Sequence, residues 1–354
     1  MTITQTIDFS GRIWDLKLFS VIIPAYNCER TIEHTTNSII SSGLTDYEIV
    51  IINDGSTDST ASACNSLCSQ YSFIKYYEQE NSGVSAARNM GISLAAGEYI
   101  MFFDADDTAE KNGFSECINI IKNEKPDILV FGMRFDYYKN GRCYRKDELV
   151  PEQEGLLNKN QIKAEFESLY NTNALSSACN KIIKKTLIID NNISFNTNYF
   201  LMEDFLFSLE CLKVCQNIYC LPKALYCYKQ SENEKNAFNR LKRIDDFCEF
   251  TVPFKAALEA LDAGKTADNV FNSFFFMLLC QKMYYSTAKE IKQIAENIKA
   301  CSIFNEIKCG EIPTAYQDFS KNIENARYLK TRLLNLKTQA RHKVAVLVKS
   351  IINR

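Results

Sequence analysis

Apolar runs closed by polar clusters recur along the first 133 residues. LFSVIIPAY (18–26) is β-branched and apolar until Pro24, and it reads as a buried strand. YEIVIIND (47–54), FIKYYEQ (73–79), EYIMFFD (98–104) and DILVFGM (127–133) repeat that form. Helical spacing fills the gaps. Ile32, Ile39 and Ile40 mark one helix up to Gly43, GSTDST (55–60) opens a second, SAARNMGISLAAG (85–97) makes a third, and a fourth covers 109–123. Ser, Thr and Asp suit helix starts because their side chains satisfy free backbone N–H groups. Strand and helix alternating at this spacing predicts an α/β fold, a mostly parallel sheet with helices on both faces. Ligands of such sheets bind outside the carboxyl ends of the strands. PAYN, NDGS and DADD all fall at those ends.

Beyond 133 the alternation fades. Residues 134–240 are rich in Tyr, Asn and Lys, and from 241 onward the pattern is helical, through LKRIDDFCEF and the Phe-rich 271–279. Leu329, Leu333, Leu336, Ala340, Val344, Leu347 and Ile351 recur at steps of three and four, one face of a helix. The expected organisation is an N-terminal extension (1–17), an α/β domain (18–240) and a helical C-terminal region (241–354). FFFMLLC (274–280) is the longest apolar candidate, far short of the ~18 residues of a spanning helix.

The net charge of −2 hides an asymmetry. Residues 325–354 hold eight Lys or Arg and no acid, which leaves 33 basic against 43 acidic residues elsewhere. An acidic body points away from nucleic acid. The basic stripe predicts a peripheral helix on anionic lipid, with packing on its own domain or in a homodimer as the alternative. Fourteen cysteines form no CxxC pair, and the spacing of Cys211, Cys215, Cys220 and Cys227 suits no common zinc site. The start, MTITQTIDFSGRIWDLK, lacks the regions of a signal peptide, so free thiols in a reducing cytoplasm are expected.

The chemistry begins at DADD (104–107). Two carboxylates about 4 Å apart repel by roughly 1 kcal/mol in water and about 4 at an effective dielectric of 20. A bound cation or a polyhydroxylated ligand offsets that cost. No GxGxxG follows a strand and no GxxxxGK[ST] occurs, so the usual dinucleotide and P-loop fingerprints are absent. An ordered set is present instead: VIIPAYN (21–27), NDGSTDST (53–60), NSGVSAARN (81–89), DADD (104–107) and MED (202–204).

That set resembles the inverting family 2 nucleotide-sugar glycosyltransferases with the GT-A fold, over roughly residues 18–230. Any single motif is unspecific; five in this order are specific. The resemblance implies a UDP-sugar donor and a hydroxyl acceptor on a glycan or lipid-linked oligosaccharide, in bacterial surface-polysaccharide synthesis on the inner face of the membrane. It implies that Ala25 and Tyr26 border the uracil, that Pro24 belongs to the donor site, and that Asp54 accepts the uracil N3–H, a task for an acceptor-only carboxylate. Asn53 stands where the family often has Asp. Arg88, with Asn81 and Gly83 shaping its loop, would hold the nucleotide or its diphosphate. Asp104 would face the ribose, with Ala105 also in the donor site, and Asp106 would ligate Mn²⁺ or Mg²⁺, which take hard oxygen ligands. Asp204 would be the general base, with Glu203 and Lys181 on the acceptor side.

Each motif has a plainer reading. Asp54 suits a turn cap, Arg88 a solvated helix face, and Glu203 and Asp204 a favourable first turn. His34 and His342 lie in no motif. A nucleotide-sugar-binding protein without catalysis is one rival, against which Asp204 counts. A sugar nucleotidyltransferase is another, but it needs a glycine-rich basic loop where PAYNCERT stands.

Overall fold

The computed structural model describes residues 5–7, 13–15, 17–231, 247–284, 286–309 and 320. The chain divides into two compact units, Met1–Ile162 with Thr172–Glu232, and Lys163–Asn171 with Asn233–Arg354. The division near 232 falls close to the expected 240, but 163–171 joins the second unit. The basic stripe at 325–354 lies outside the described residues.

A short antiparallel pair, β1 (Gln5–Ile7) and β2 (Ile13–Asp15), forms its own sheet. The first unit is otherwise built on one ten-stranded sheet. Four strands follow the apolar runs: β3 (Phe19–Ala25), β4 (Tyr47–Asp54), β5 (Ile74–Gln79) and β6 (Tyr99–Phe102). Helices α1 (Ile32–Ile40), α2 (Thr60–Gln70) and α3 (Val84–Leu94) connect them. All four strands are parallel, in the order β5-β4-β3-β6. Every residue of β3 except Pro24 is buried, which is why it reads as a continuous apolar run. The chain passes from β3 out to β5, then returns to place β6 on the other side of β3. Such a reversal opens a crevice at the carboxyl ends of β3 and β6. Helix α3 presses close on β3: a Cβ on Gly91 would lie 2.3 Å from Ile22 Cγ2.

The rest of the sheet adds antiparallel strands to this mostly parallel core. After β7 (Thr108–Ala109) and α4 (Ser115–Glu124), β8 runs from Ile128 to Lys139, six residues past the expected end. It turns at Asn140-Gly141, both at positive φ (50° and 74°), and returns as β9 (Arg142–Leu149). Asn-Gly favours such hairpin turns because both positions tolerate positive φ. β10 (Gly155–Asn158), α5 (Lys159–Ala164) and α6 (Phe166–Asn171) follow. β11 (Lys181–Lys184) then lies between β6 and β8, antiparallel to both. After α7 (Lys185–Asp190) and α8 (Glu203–Val214), β12 (Asn217–Ser231) runs parallel to β8. Under the acid-bearing loops, Phe195 stacks on Phe207 at 3.9 Å, and Phe102 meets both rings edge-on.

The described residues of the second unit are mostly helical, as expected: α9 (Phe247–Ala260), α10 (Lys265–Tyr284), α11 (Ala288–Ala300) and α12 (Ser302–Cys309). Thr287 and Glu290 close a capping box at the start of α11. Its core is aromatic, with Phe254 4.9 Å from Phe274 and Phe247 5.1 Å from Phe275. The expectation of free thiols needs one correction. Cys248 and Cys301 are joined, because folding brings their Cα atoms to 6.3 Å across a separation of 53 residues. Burial pushes Cys64, Cys117, Cys215 and Cys227 up to about 12, which makes these thiols poor nucleophiles. Among the described residues no helix is long and apolar enough to cross a membrane.

Candidate active site

Two loops at the carboxyl ends of β3 and β4 are laced together. Asn27, at φ 48°, accepts the Thr57 N–H at 2.8 Å and gives its own N–H to Ser56. Cys28 N–H donates to Thr60 Oγ1, and Asp58 accepts from Glu29 N–H and from the Thr60 hydroxyl. Burial chiefly, with the Asp58 and Asp106 carboxylates adding, pushes the Cys28 thiol up to about 11. Of the residues expected in the donor site, Ala25 is fully buried and Pro24 half-buried, while Tyr26 is 52% exposed.

Asp54 ends β4 and is 4% exposed. Its Oδ1 accepts from Gln79 Nε2 at 2.7 Å and Ser82 N–H at 2.8 Å, and its Oδ2 from Gly83 N–H at 2.9 Å. Its carboxylate therefore shapes the loop 79–83. Gly83 enters α3 at φ 89°, and a Cβ on Gly55 would lie 2.7 Å from the exposed Asn81's amide nitrogen. Asn53 accepts Ser56 N–H and donates to the Tyr76 hydroxyl at 2.8 Å.

The DADD loop follows β6 and separates its acids by environment. Asp107 is fully buried; its carboxylate accepts the Tyr226 hydroxyl at 2.6 Å and Lys229 N–H at 2.9 Å. Burial first, then the Asp106 and Asp104 charges, pushes Asp107 well above the usual carboxylate value. Thr35 in α1 donates to the carbonyls of Ala105 and Asp107 and holds the turn. Asp106 is exposed. The Asp104 side chain is 18% exposed and meets Arg88 Nη2 at 2.9 Å.

Arg88, expected beside a diphosphate, lies among protein carboxylates. It is 1% exposed, and its guanidinium faces protein carboxylates: Asp104, Asp204 Oδ1 at 2.5 Å from Nη1, and Glu203 at 3.7 Å. Burial alone would lower Arg88, but Asp104 and Glu203 outweigh it and hold the group above its ordinary value. The guanidinium also lies 5.2 Å from the Phe195 ring centroid. The neighbouring Asn89 pairs with the Phe195 backbone, donating to its carbonyl and accepting its N–H, each at 2.8 Å. Asp204, at the start of α8, is 3% exposed and Glu203 4%; Asp204 Oδ2 accepts Ala178 N–H at 3.3 Å. Lys181 is 2% exposed, its ammonium on the Ser177 carbonyl and Asn180 Oδ1.

Folding thus joins Arg88, Asp104, Glu203 and Asp204 in one cluster and leaves Asp106 facing solvent. Among the described residues no group of three or more His, Cys, Asp or Glu could hold a metal ion by itself. Mg²⁺ is usually held by one or two carboxylates plus substrate phosphates, and exposed Asp106 fits that manner of binding. Sequence reasoning did not find Asn89, Thr35, Gln79 or Tyr226. Asn89 lies inside a quoted motif, but nothing local signals its partner 106 positions away.

A parallel half-sheet with acid loops at its carboxyl edge, completed by an inserted antiparallel strand, defines the GT-A class of glycosyltransferase fold. Residues 1–349 of S. aureus TarS in complex with UDP-GlcNAc share it, with a TM-score of 0.64 at 20% identity over 91% of each chain. Residues 20–190 match the family model Glycosyl transferase family 2. The uncharacterized glycosyltransferase EpsJ of Bacillus subtilis is 28% identical over 220 residues, 62% of each chain. The cholesterol galactosyltransferase of Borreliella burgdorferi is 26% identical over 308 residues, 82% of this chain and 83% of that one.

Proposed function

We propose that the protein transfers a hexose or N-acetylhexosamine from a UDP-sugar to a hydroxyl of a glycan or lipid-linked acceptor, with inversion. The observation that carries this reading is the meeting of Asp104 and Asp204 on one guanidinium. An inverting transfer needs a base on one side of the sugar carbon and the departing nucleotide on the other. Asp204 is the base that takes the acceptor's proton, and the Asp104 loop lies on the nucleotide side. Asp54 and the loop it shapes take the uracil beside Pro24, Ala25, Tyr26 and Asn81, and Ala105 lies against the ribose with Asp104. Glu203 and Lys181 brace the acceptor side from within. Asp106, together with the donor's phosphates, would hold Mn²⁺ or Mg²⁺, which would neutralise charge on the leaving diphosphate.

The UDP-GlcNAc held by TarS supports the donor class, and the Borreliella relative, named for galactosyl transfer to cholesterol, supports a hexose and a lipid hydroxyl. Surface-polysaccharide synthesis at the inner membrane face is the setting we infer, with the basic stripe at 325–354 suited to anionic lipid. One observation favours a second reading, nucleotide-sugar binding without transfer: Asp204 is 3% exposed, with both oxygens engaged.

A panel of UDP-, GDP- and CDP-sugars with Mn²⁺ separates the two. Transfer predicts a raised melting temperature and donor hydrolysis with UDP-sugars. Stabilisation without turnover, with any acceptor supplied, leaves the binding reading; no response to any nucleotide sugar removes both.

A further inference from the structure

Arg88 sits where a phosphate-binding arginine is expected, yet its fork points into protein. One arm reaches Asp104 on the loop after β6, and the other reaches Asp204 at the start of α8. These acids are 16 and 116 positions from Arg88 in sequence. A planar guanidinium presents donors in fixed directions, so it can span two carboxylates that a point charge cannot. The environment fixes the fork further. Gly91, one turn on in α3, lets that helix press against β3. Asn89 holds the Phe195 backbone through two hydrogen bonds, and the Phe195 ring lies beside the guanidinium, backed by Phe207. Arg88 is 1% exposed, and its guanidinium meets Asp104, Glu203 and Asp204.

We propose that Arg88 is a positioning residue for transfer. It clamps Asp204 against the Asp104 loop, setting the distance between base and departing nucleotide, and does not hold the donor diphosphate. Asn89 serves the same clamp by fixing the segment at 195 that precedes α8. The inference deepens the proposed function and rests on its assignment of Asp204 as base.

Arg88→Lys tests it, because an ammonium keeps the charge but cannot bridge both acids. We expect kcat to fall by about 10²-fold, the cost of roughly 1 Å of misplacement. UDP affinity should change less than about threefold, and the ratio of UDP to uridine affinity should stay at the wild-type value. A diphosphate-binding arginine predicts the reverse, a collapse of that ratio by about tenfold or more with uridine affinity unchanged. Near wild-type kcat, or a collapsed ratio, overturns the proposal. A co-crystal structure of the unaltered protein with UDP and Mn²⁺ needs no variant to fold. Arg88 should remain on Asp104 and Asp204, and its movement onto the diphosphate would overturn the clamp. If the wild-type enzyme binds UDP-sugars but never turns over, the transfer function fails, while the co-crystal result still decides what Arg88 holds.

Discussion

Strand β4 carries an acid near each end, and the two ends of the sheet treat their acids differently. Glu48, at the amino end, is 1% exposed and closed within the protein. It accepts the Ser20 hydroxyl at 2.7 Å and Ala96 N–H at 2.6 Å, and it pairs with Lys75 on the neighbouring strand at 2.6 Å. That arrangement ties β3, β4, β5 and the turn after α3 together. At the carboxyl end, beyond Asp54, three acids share the Arg88 guanidinium, Asp106 faces solvent, and Asp107 is buried with neighbouring charges pushing its value up. A buried charge persists when it is paired and hydrogen-bonded. The matched acid holds strands together; the crowded acids fit a partner arriving from outside.

The contrast breaks most strongly at Asp204. Asp204→Asn should keep UDP affinity and lose transfer by about 10²- to 10⁴-fold, the worth of a positioned base. A transfer rate near wild type at saturating donor would return Asp204 to the role of a helix-start acid. Next comes Asp106→Asn, expected to weaken UDP binding in Mn²⁺ by about 10- to 100-fold, or roughly 1.4–3 kcal/mol, and to leave binding without metal nearly unchanged. Calorimetry with and without the ion reads this directly, and equal losses in both conditions would sink the metal role. At the amino end, Glu48→Gln should lower unfolding stability by roughly 1–3 kcal/mol, nearer the low figure because Lys75 is 36% exposed. UDP affinity should not move; a change there would mean that the two ends are coupled. The smallest effect is expected at Asp54→Asn, which should erode the preference for UDP over GDP by about fivefold, one hydrogen bond's worth. Equal wild-type affinities for UDP and GDP would remove the base assignment altogether.

The strands carrying the acids were legible because β3, β4 and β6 are buried on both faces and therefore write unbroken apolar runs. Their polar ends mark the ligand edge by the logic of parallel sheets alone. The resemblance then picked out Asp104 and Asp204, which the fold brings onto one cation. It could not tell that Arg88 faces inward, since its partners are decided by how α8 docks. Strand β11 is four residues long, too short for any periodicity, and it runs antiparallel between β6 and β8 in an otherwise mostly parallel sheet. The hairpin at Asn140-Gly141 was readable from its turn residues but lay in a segment judged irregular. Tyr226 and Asp107 meet across 119 positions, beyond any local signal.

Strand β11 also imposes an order on the chain's synthesis. β6, which leads into the acid loop, finds β3 already made on one side, but its other neighbour begins at Lys181, about 80 residues later. At roughly 5–20 residues per second a ribosome needs on the order of 4–16 s to deliver it. Through that interval the nascent sheet carries an open edge, Tyr99–Phe102, whose residues are all buried in the finished protein, of the kind that pairs with other chains. Mutations that slow the arrival or docking of β11 should therefore lower the yield of soluble protein more than they lower the stability of what folds.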